Sequence, residues 1–237
     1  MIQLQKIIPD LLFPRRCAVC DDISDIRGQG VCSKCQPRIV YIKEPCCMKC
    51  GKQLARQEQE YCRDCSRNKH FFIKGTALYD QGSMAESVFR FKYGNRPEYA
   101  RFYGRDLYEK KRGFLEQVKP DALVPVPIHW SRMRRRGYNQ AQLIARELSK
   151  YSGIPVREKL IRRCVKTAPL KDLGPLERQN NLKKAFKICC NDVKLDTIVI
   201  IDDIYTTGST IDAISCELRK AGVRRIYYAA LAIGKGI

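Results

Sequence analysis

Eight cysteines fall into four Cys-x-x-Cys pairs, Cys17/Cys20, Cys32/Cys35, Cys47/Cys50 and Cys62/Cys65, whose starts lie fifteen residues apart. In such a turn two sulfurs and the neighbouring backbone N–H groups converge on one metal, and two turns complete a tetrahedral S₄ site suited to Zn²⁺. The sets Cys17-x2-Cys20-x11-Cys32-x2-Cys35 and Cys47-x2-Cys50-x11-Cys62-x2-Cys65 share one spacing, an internal repeat of about 30 residues. Pairing in sequence order gives two stacked zinc ribbons, since the intervening stretch suits a short hairpin. Spacing leaves open a crossed arrangement with the first and third pairs on one ion. Each set is closed, so its zinc is structural rather than catalytic. Cys46 breaks the repeat and is left outside the sets; His70 is either a substitute ligand or, the reading preferred here, an isolated surface histidine.

A second constellation lies near the C-terminus. Ile198-Val199-Ile200-Ile201 is an unbroken β-branched run, the pattern of a strand buried on both faces of a parallel sheet. Asp202 and Asp203 follow at its carboxyl end, where open α/β sheets place ligands. Thr206, Thr207, Gly208, Ser209 and Thr210 then form a hydroxyl-rich turn before a helix expected over 210–221 and closed by Gly222. Backbone N–H groups at such a helix start cradle a phosphate. Acids beside a phosphate cradle need a reason, and a ribose supplies one. Carboxylates accept hydrogen bonds from its 2′- and 3′-hydroxyls, and Mg²⁺ bridges the remaining charge. Upstream, Ala122 to Pro127 reads as a short strand that runs into a loop over 128–136 holding Arg132, Arg134, Arg135 and Arg136. Dense arginine at a strand's carboxyl end suits a pyrophosphate, which guanidinium binds bidentately. Read alone, the run is equally a nucleic-acid patch or a solvated charge cluster. His129, in the same loop, is either a proton donor or, the reading preferred here, structural.

These groups need a scaffold. The chain has 237 residues, 44% of them hydrophobic, enough for a packed core. A module over 1–70 would carry the cysteine sets, and a second domain over 71–237 the acids and arginines. In that second part a strand is expected from Gly75 to Tyr79, then a helix opened by the capping box Ser83-x-x-Glu86. Ala141, Ile144, Ala145 and Leu148 form the inward stripe of a further helix, and a long polar excursion over 167–181 precedes a strand at 185–188. Cys164, Cys189, Cys190 and Cys216 lack ligand spacing and read as small core residues or bystanders. Nine of the 13 cysteines precede residue 66, a metal-binding rather than a disulfide distribution, as in a reducing cytoplasm. Pro9 and Asp10 break the apolar start, which excludes a signal-peptide core there. No apolar run reaches the ~20 residues of a membrane span.

The charge is strongly positive. The chain carries 45 Lys plus Arg against 25 Asp plus Glu, a formal +20, with an excess of 6 in residues 1–75 and 14 in residues 76–237. Two Zn²⁺ on eight thiolates lower the total to about +16. Such a balance favours polyanionic partners, nucleic acid or a phosphorylated metabolite.

The segment Val199 to Thr210, with Ile198 before it, resembles the phosphoribosyl-diphosphate (PRPP) motif of type I phosphoribosyltransferases. The wider order of motifs resembles the ComF family, the ComFC-type competence proteins. It runs from Leu11-Leu12-Phe13-Pro14-x-x-Cys17 through the paired knuckles and Pro125-x-Pro127 with Arg136-Gly137-Tyr138-Asn139-Gln140 to Asn181-Leu182-x-x-Ala185-Phe186 and the terminal motif. The resemblance covers residues 11 to about 232. It implies an α/β fold, a type I phosphoribosyltransferase-like parallel sheet flanked by helices, joined to an N-terminal Cys₄ double zinc ribbon. It also implies a role in natural transformation, handling incoming single-stranded DNA in the cytoplasm beside a helicase-like ATPase. Thr167, Leu173, Glu177 and Arg178 fit the family's loop pattern, whereas Leu170 stands where Gln is common and Gly174-Pro175 where a Ser-led helix start is usual.

Two functions fit. As an enzyme, the protein would hold PRPP with its phosphate on Thr206–Thr210, its ribose on Asp202 and Asp203, and its pyrophosphate on Mg²⁺ and the Arg132–Arg136 segment. As a binding module, the pocket would sense PRPP while a basic surface holds single-stranded DNA. The latter wants aromatics interleaved with basic residues, and Phe89, Phe91 and Tyr93 alternate with Arg90 and Lys92. On a helix, such a stripe is half core and half solvated face.

Overall fold

The computed structural model describes residues 15–26, 30–80, 82–165, 185–189 and 194–234. Four strands form one parallel sheet in the order β1 (Gly75–Asp80), β6 (Arg225–Ile233), β5 (Thr197–Tyr205), β2 (Ala122–Pro125). A short antiparallel hairpin, β3 (Ile161–Arg163) with β4 (Phe186–Ile188), stands beside it. Parallel strands need crossovers, supplied by α2 (Ala85–Tyr93), α3 (Tyr99–Val118), α4 (Trp130–Arg136), α5 (Gln140–Ser152) and α6 (Ser209–Lys220). α1 (Arg63–Arg67) belongs to the cysteine-rich segment.

Period-2 alternation along β5 divides the core. Ile198 and Ile200 point into one cluster with Ile211, Ile214 and Leu218 of α6, Leu160, Ile161 and Phe186 of the hairpin, and Cys47, Cys50 and Cys62. Val199 and Ile201 point into the other, with Val88 and Phe91 of α2, Leu107 of α3, Ile144 and Leu148 of α5, and Cys17, Cys32 and Cys35. The two cysteine sets therefore lie on opposite faces of the sheet.

α5, which follows β2 after the exposed α4, and α6, which follows β5, pack on opposite faces, so the chain switches sides between these adjacent strands. Open α/β sheets bind ligands outside the strand carboxyl ends at such a point. β2 leaves the sheet at Pro125, opposite Ile201, and β5 continues for four residues paired with β6 alone.

Several local expectations change. The strand expected to stop at Ile201 runs to Tyr205, because β6 offers partners as far as Ile233. The segment 128–136, read as a loop, is a helix from Trp130 to Arg136. His129 accepts from the Ser131 N–H at its start, and Gly137, at φ 79°, closes its end. None of its residues is buried, so no apolar stripe announced it. The capping box does not form. α2 starts at Ala85 behind Met84, and the Ser83 hydroxyl donates to the Val40 and Asp80 carbonyls. Cys164 and Cys189 are exposed and Cys216 half-buried, so these three are not core residues. Cys190, the excursion over 167–181, Leu11 to Pro14, and Asn181 with Leu182 lie outside the described residues.

Candidate ligand crevice and metal centres

The cysteines gather in sequence order: Cys17, Cys20, Cys32 and Cys35 form one set and Cys47, Cys50, Cys62 and Cys65 the other, with all sulfurs of a set within 4.8 Å of one another. The crossed arrangement is thereby excluded. Cys20 and Cys32 Sγ lie 3.9 Å apart, and Cys50 and Cys62 Sγ 3.6 Å. A tetrahedron with 2.3 Å Zn–S bonds has edges of about 3.8 Å, so both sets fit the ion. Val19 and Cys32 N–H groups donate to Cys17 Sγ at 3.4 Å, the backbone support expected of a thiolate ligand. Hydrogen bonds from Cys50 and Cys65 pull the Cys47 thiol down, and the same contacts push Cys50 and Cys65 up.

The acids sit in the stretch of β5 that β2 has vacated. Alternation sends them to opposite faces: Asp203 pairs with Lys92 Nζ of α2 at 2.9 Å, and Asp202 feels the charge of Arg163 on the hairpin. Burial and the neighbouring Asp203 push the Asp202 carboxyl up to about 8, partly offset by Lys92 and by the Asp203 N–H, which donates to it at 2.8 Å. Burial, with repulsion from Arg132, brings Arg163 down to about 10. Arg132, on α4, is likewise lowered by burial and by Arg136. Two carboxyl groups and the basic side chains of Lys92, Arg132 and Arg163 thus interact around the end of β5.

Arg136 donates to Tyr93 Oη at 2.9 Å and to Gln140 Oε1 at 3.2 Å, its guanidinium 4.6 Å from the Tyr93 ring centre. Lys92, Tyr93, Asn95, Arg134, Arg135, Arg136 and Gly137 line a cleft of 580 Å³ on this side.

Thr206 to Gly208 connect β5 to α6, with Thr207 and Ser209 hydroxyls 2.8 Å apart. Gly208 takes φ 79°, a conformation L side chains avoid, and no side chain caps the helix. The first N–H groups of α6 are therefore free of side-chain caps at the carboxyl end of β5, the arrangement that accepts an anion. Electrostatic contacts link Arg132 to Asp203 and to Arg136, and the turn follows the two acids at the end of the same strand. Lys92 and Arg163 join these acids; the sequence marked Lys92 only within the Phe89–Tyr93 stripe, and nothing local marked Arg163. His70 is not a surface residue: its side chain is 2% exposed and its Nδ1 lies 2.7 Å from Asp212 of α6.

The architecture and sites define a class: a parallel α/β sheet flanked by helices, with a structural double zinc ribbon at the N-terminal side. The profile of the double zinc ribbon domain family matches residues 8–66. Competence protein F of Haemophilus influenzae is 34% identical over 228 residues, covering 93% of this chain and 97% of that protein. The chain belongs to the ComF family. DNA utilization protein YhgH of Salmonella typhimurium is 30% identical, covering 91% and 96%, and competence protein ComFC of Bacillus subtilis 29%, covering 81% and 79%. A purine phosphoribosyltransferase structure from Pyrococcus horikoshii overlaps 55% of this chain and 70% of its own at 24% identity, with a TM-score of 0.35, too low to carry an argument. Among the described residues no helix is long and apolar enough to cross a membrane.

Proposed function

We propose that this protein binds PRPP with Mg²⁺ in the crevice between β2 and β5 and acts in the handling of incoming DNA. One observation carries the reading: Asp202 and Asp203 stand in the vacated stretch of β5 beside the uncapped start of α6. In this reading the 5-phosphate takes the N–H groups and hydroxyls of Thr206 to Thr210. The ribose diol donates to the two carboxylates, and the pyrophosphate meets Arg132, Arg136 and Arg163. Mg²⁺ would be held by the acids and the diphosphate and would supply charge neutralisation for the leaving group. If pyrophosphate departs, positive charge grows at C1′, which the Asp203 carboxylate would stabilise, joined by Asp202 once a bound cation draws off the proton that burial holds on it. Calorimetric titration of PRPP with Mg²⁺ tests the site. Asp202→Ala and Asp203→Ala are each expected to weaken binding by about ten- to a hundred-fold, ~1.5–3 kcal/mol for a charge-assisted hydrogen bond. Equal binding by the double variant overturns the assignment. Pyrophosphate release with a panel of bases and nucleotides separates turnover from sensing.

A second reading, a non-catalytic PRPP-sensing module that holds single-stranded DNA, is favoured by one surface. Phe89, Tyr93 and Trp130 are 63%, 53% and 64% exposed, with Phe89 and Tyr93 rings 5.0 Å apart. Arg136 lies over Tyr93, and Arg134 over Trp130 at 5.4 Å. Aromatic faces beside cations stack bases without reading sequence. The names of the relatives, competence and DNA utilization proteins, support this context, and a helicase-like ATPase would be the neighbour that supplies the strand. Affinity for single-stranded DNA should be sequence-independent, fall steeply with salt, and drop in Trp130→Ala; a flat salt response overturns this part.

A further inference from the structure

The turn over 206–210 is backed by residues that arrive from the second cysteine set. His70 Nδ1–H donates to Asp212 Oδ2 at 2.7 Å, while the Phe71 N–H donates to Asp212 Oδ1 at 2.8 Å. Both oxygens of a carboxylate in the first turn of α6 are thus taken by the segment that leaves the ribbon. Arg219, two turns further on, donates to the Phe71 carbonyl at 3.0 Å and fixes the same segment. The imidazole stacks on Phe72 at 4.9 Å, and its Cε1 lies 3.0 Å from where a Cβ on Gly208 would stand. Tyr205 Oη lies 2.5 Å from that same point. Tyr205 stacks on Tyr228 at 4.6 Å, and the Tyr228 hydroxyl donates to the Cys50 carbonyl at 2.6 Å. Two routes therefore run from the second cysteine set to Gly208.

A ring needed only to fill this space would be better apolar, because His70 Nε2 is buried with no partner among the described residues. What histidine adds is the directed bond to Asp212. We infer that His70 is a positioning residue for the phosphate turn, holding Gly208 and the start of α6 in the conformation that receives a phosphate monoester. The inference rests on reading 206–210 as that turn, and it makes the second ribbon, not the first, part of the ligand site.

The test uses the zinc-loaded full chain, with ribose 5-phosphate and, separately, Mg²⁺-pyrophosphate as probes. His70→Ala should weaken ribose 5-phosphate about tenfold, leave pyrophosphate binding and two zinc ions per chain unchanged, and speed amide exchange at Phe71 and Asp212, whose N–H groups bond Asp212 Oδ1 and the Gly208 carbonyl. His70→Asn keeps a donor near the Nδ1 position and should restore both affinity and exchange protection. His70→Gln places its donor nearer Nε2 and should not. Unchanged exchange in His70→Ala overturns the proposal even if the wild type binds no sugar phosphate, an outcome that would separately refute the PRPP reading. Equal loss for both probes overturns it too, as does rescue by Gln rather than Asn.

Discussion

Two cysteine sets with identical spacing end up doing different structural work. The first packs with Val88, Phe91, Tyr99 and Tyr103, where α2 and α3 cover one face of the sheet. Its surroundings are polar at the rim: Asp21, next to Cys20, takes two bonds from Arg96 at 2.8 Å, and Arg90 donates to the Val19 carbonyl. The second packs with Phe72, Tyr205 and Tyr228, beneath the strand end that carries the candidate ligand groups. The difference teaches that the repeat encodes a metal-binding unit, whereas its role is set by which face of the sheet receives it.

The largest expected effect tests that contrast directly. Cys50→Ser and Cys32→Ser should each leave one zinc per chain by metal analysis. Only Cys50→Ser should abolish ribose 5-phosphate binding, and equal loss in both would break the distinction. Next, Gly75→Ala would drive a Cβ to 1.9 Å from Cε1 of the buried Tyr228 ring. On the opposite face Gly104→Ala meets Glu147 Cβ at 2.3 Å, at the contact of α3 with α5. Overpacking of this kind costs about 1–3 kcal/mol or more. Both variants should melt earlier, but only Gly75→Ala should also weaken the phosphate turn. Tyr228→Phe sharpens the comparison with a smaller change: loss of the bond to the Cys50 carbonyl should cost ~1 kcal/mol in denaturant unfolding, with zinc content intact.

The smallest effect near pH 6 comes from Asp202→Asn and shows in the slope of the stability curve. A carboxyl raised in the fold to about 8 from 3.8 binds its proton more tightly when folded. The associated stability is fully present below pH 3.8 and is lost as pH rises through about 8. Asparagine stays neutral, so the variant should not show that decline and should melt above wild type at pH 8 to 9. Parallel curves for the two proteins would show that Asp202 is not buried as described.

Much of this was legible in the chain. Cys-x-x-Cys spacing specifies a local turn, and Ile198 to Ile201 specifies a doubly buried strand, because both signals are short-range. What covers each face is long-range and leaves no local trace. Arg163 reads as an ordinary cation, and Lys92 as part of an aromatic–basic stripe, until folding sets them beside Asp202 and Asp203. His70, read as a surface residue, is buried by Asp212, 142 positions away. The arginine helix lacked an apolar stripe because it packs nothing into the core, and the Ser83 capping box lost to carbonyls supplied by Val40 and Asp80. Motifs fix the chemistry on offer; tertiary neighbours decide its partners.

β1 pairs only with β6 in the sheet, and the hydroxyl that reaches Cys50 belongs to a residue 178 positions downstream. Ribosomes deliver the chain from its N-terminus, so the second zinc ribbon emerges long before the surface it packs on. A locally folded metal knot must then wait, its apolar underside uncovered, while helices α2 to α6 are made. High contact order of this kind slows folding and prolongs exposure to aggregation. Early zinc capture would not shorten that wait but would keep the ribbon folded through it, which makes metal supply during synthesis a determinant of yield for this protein.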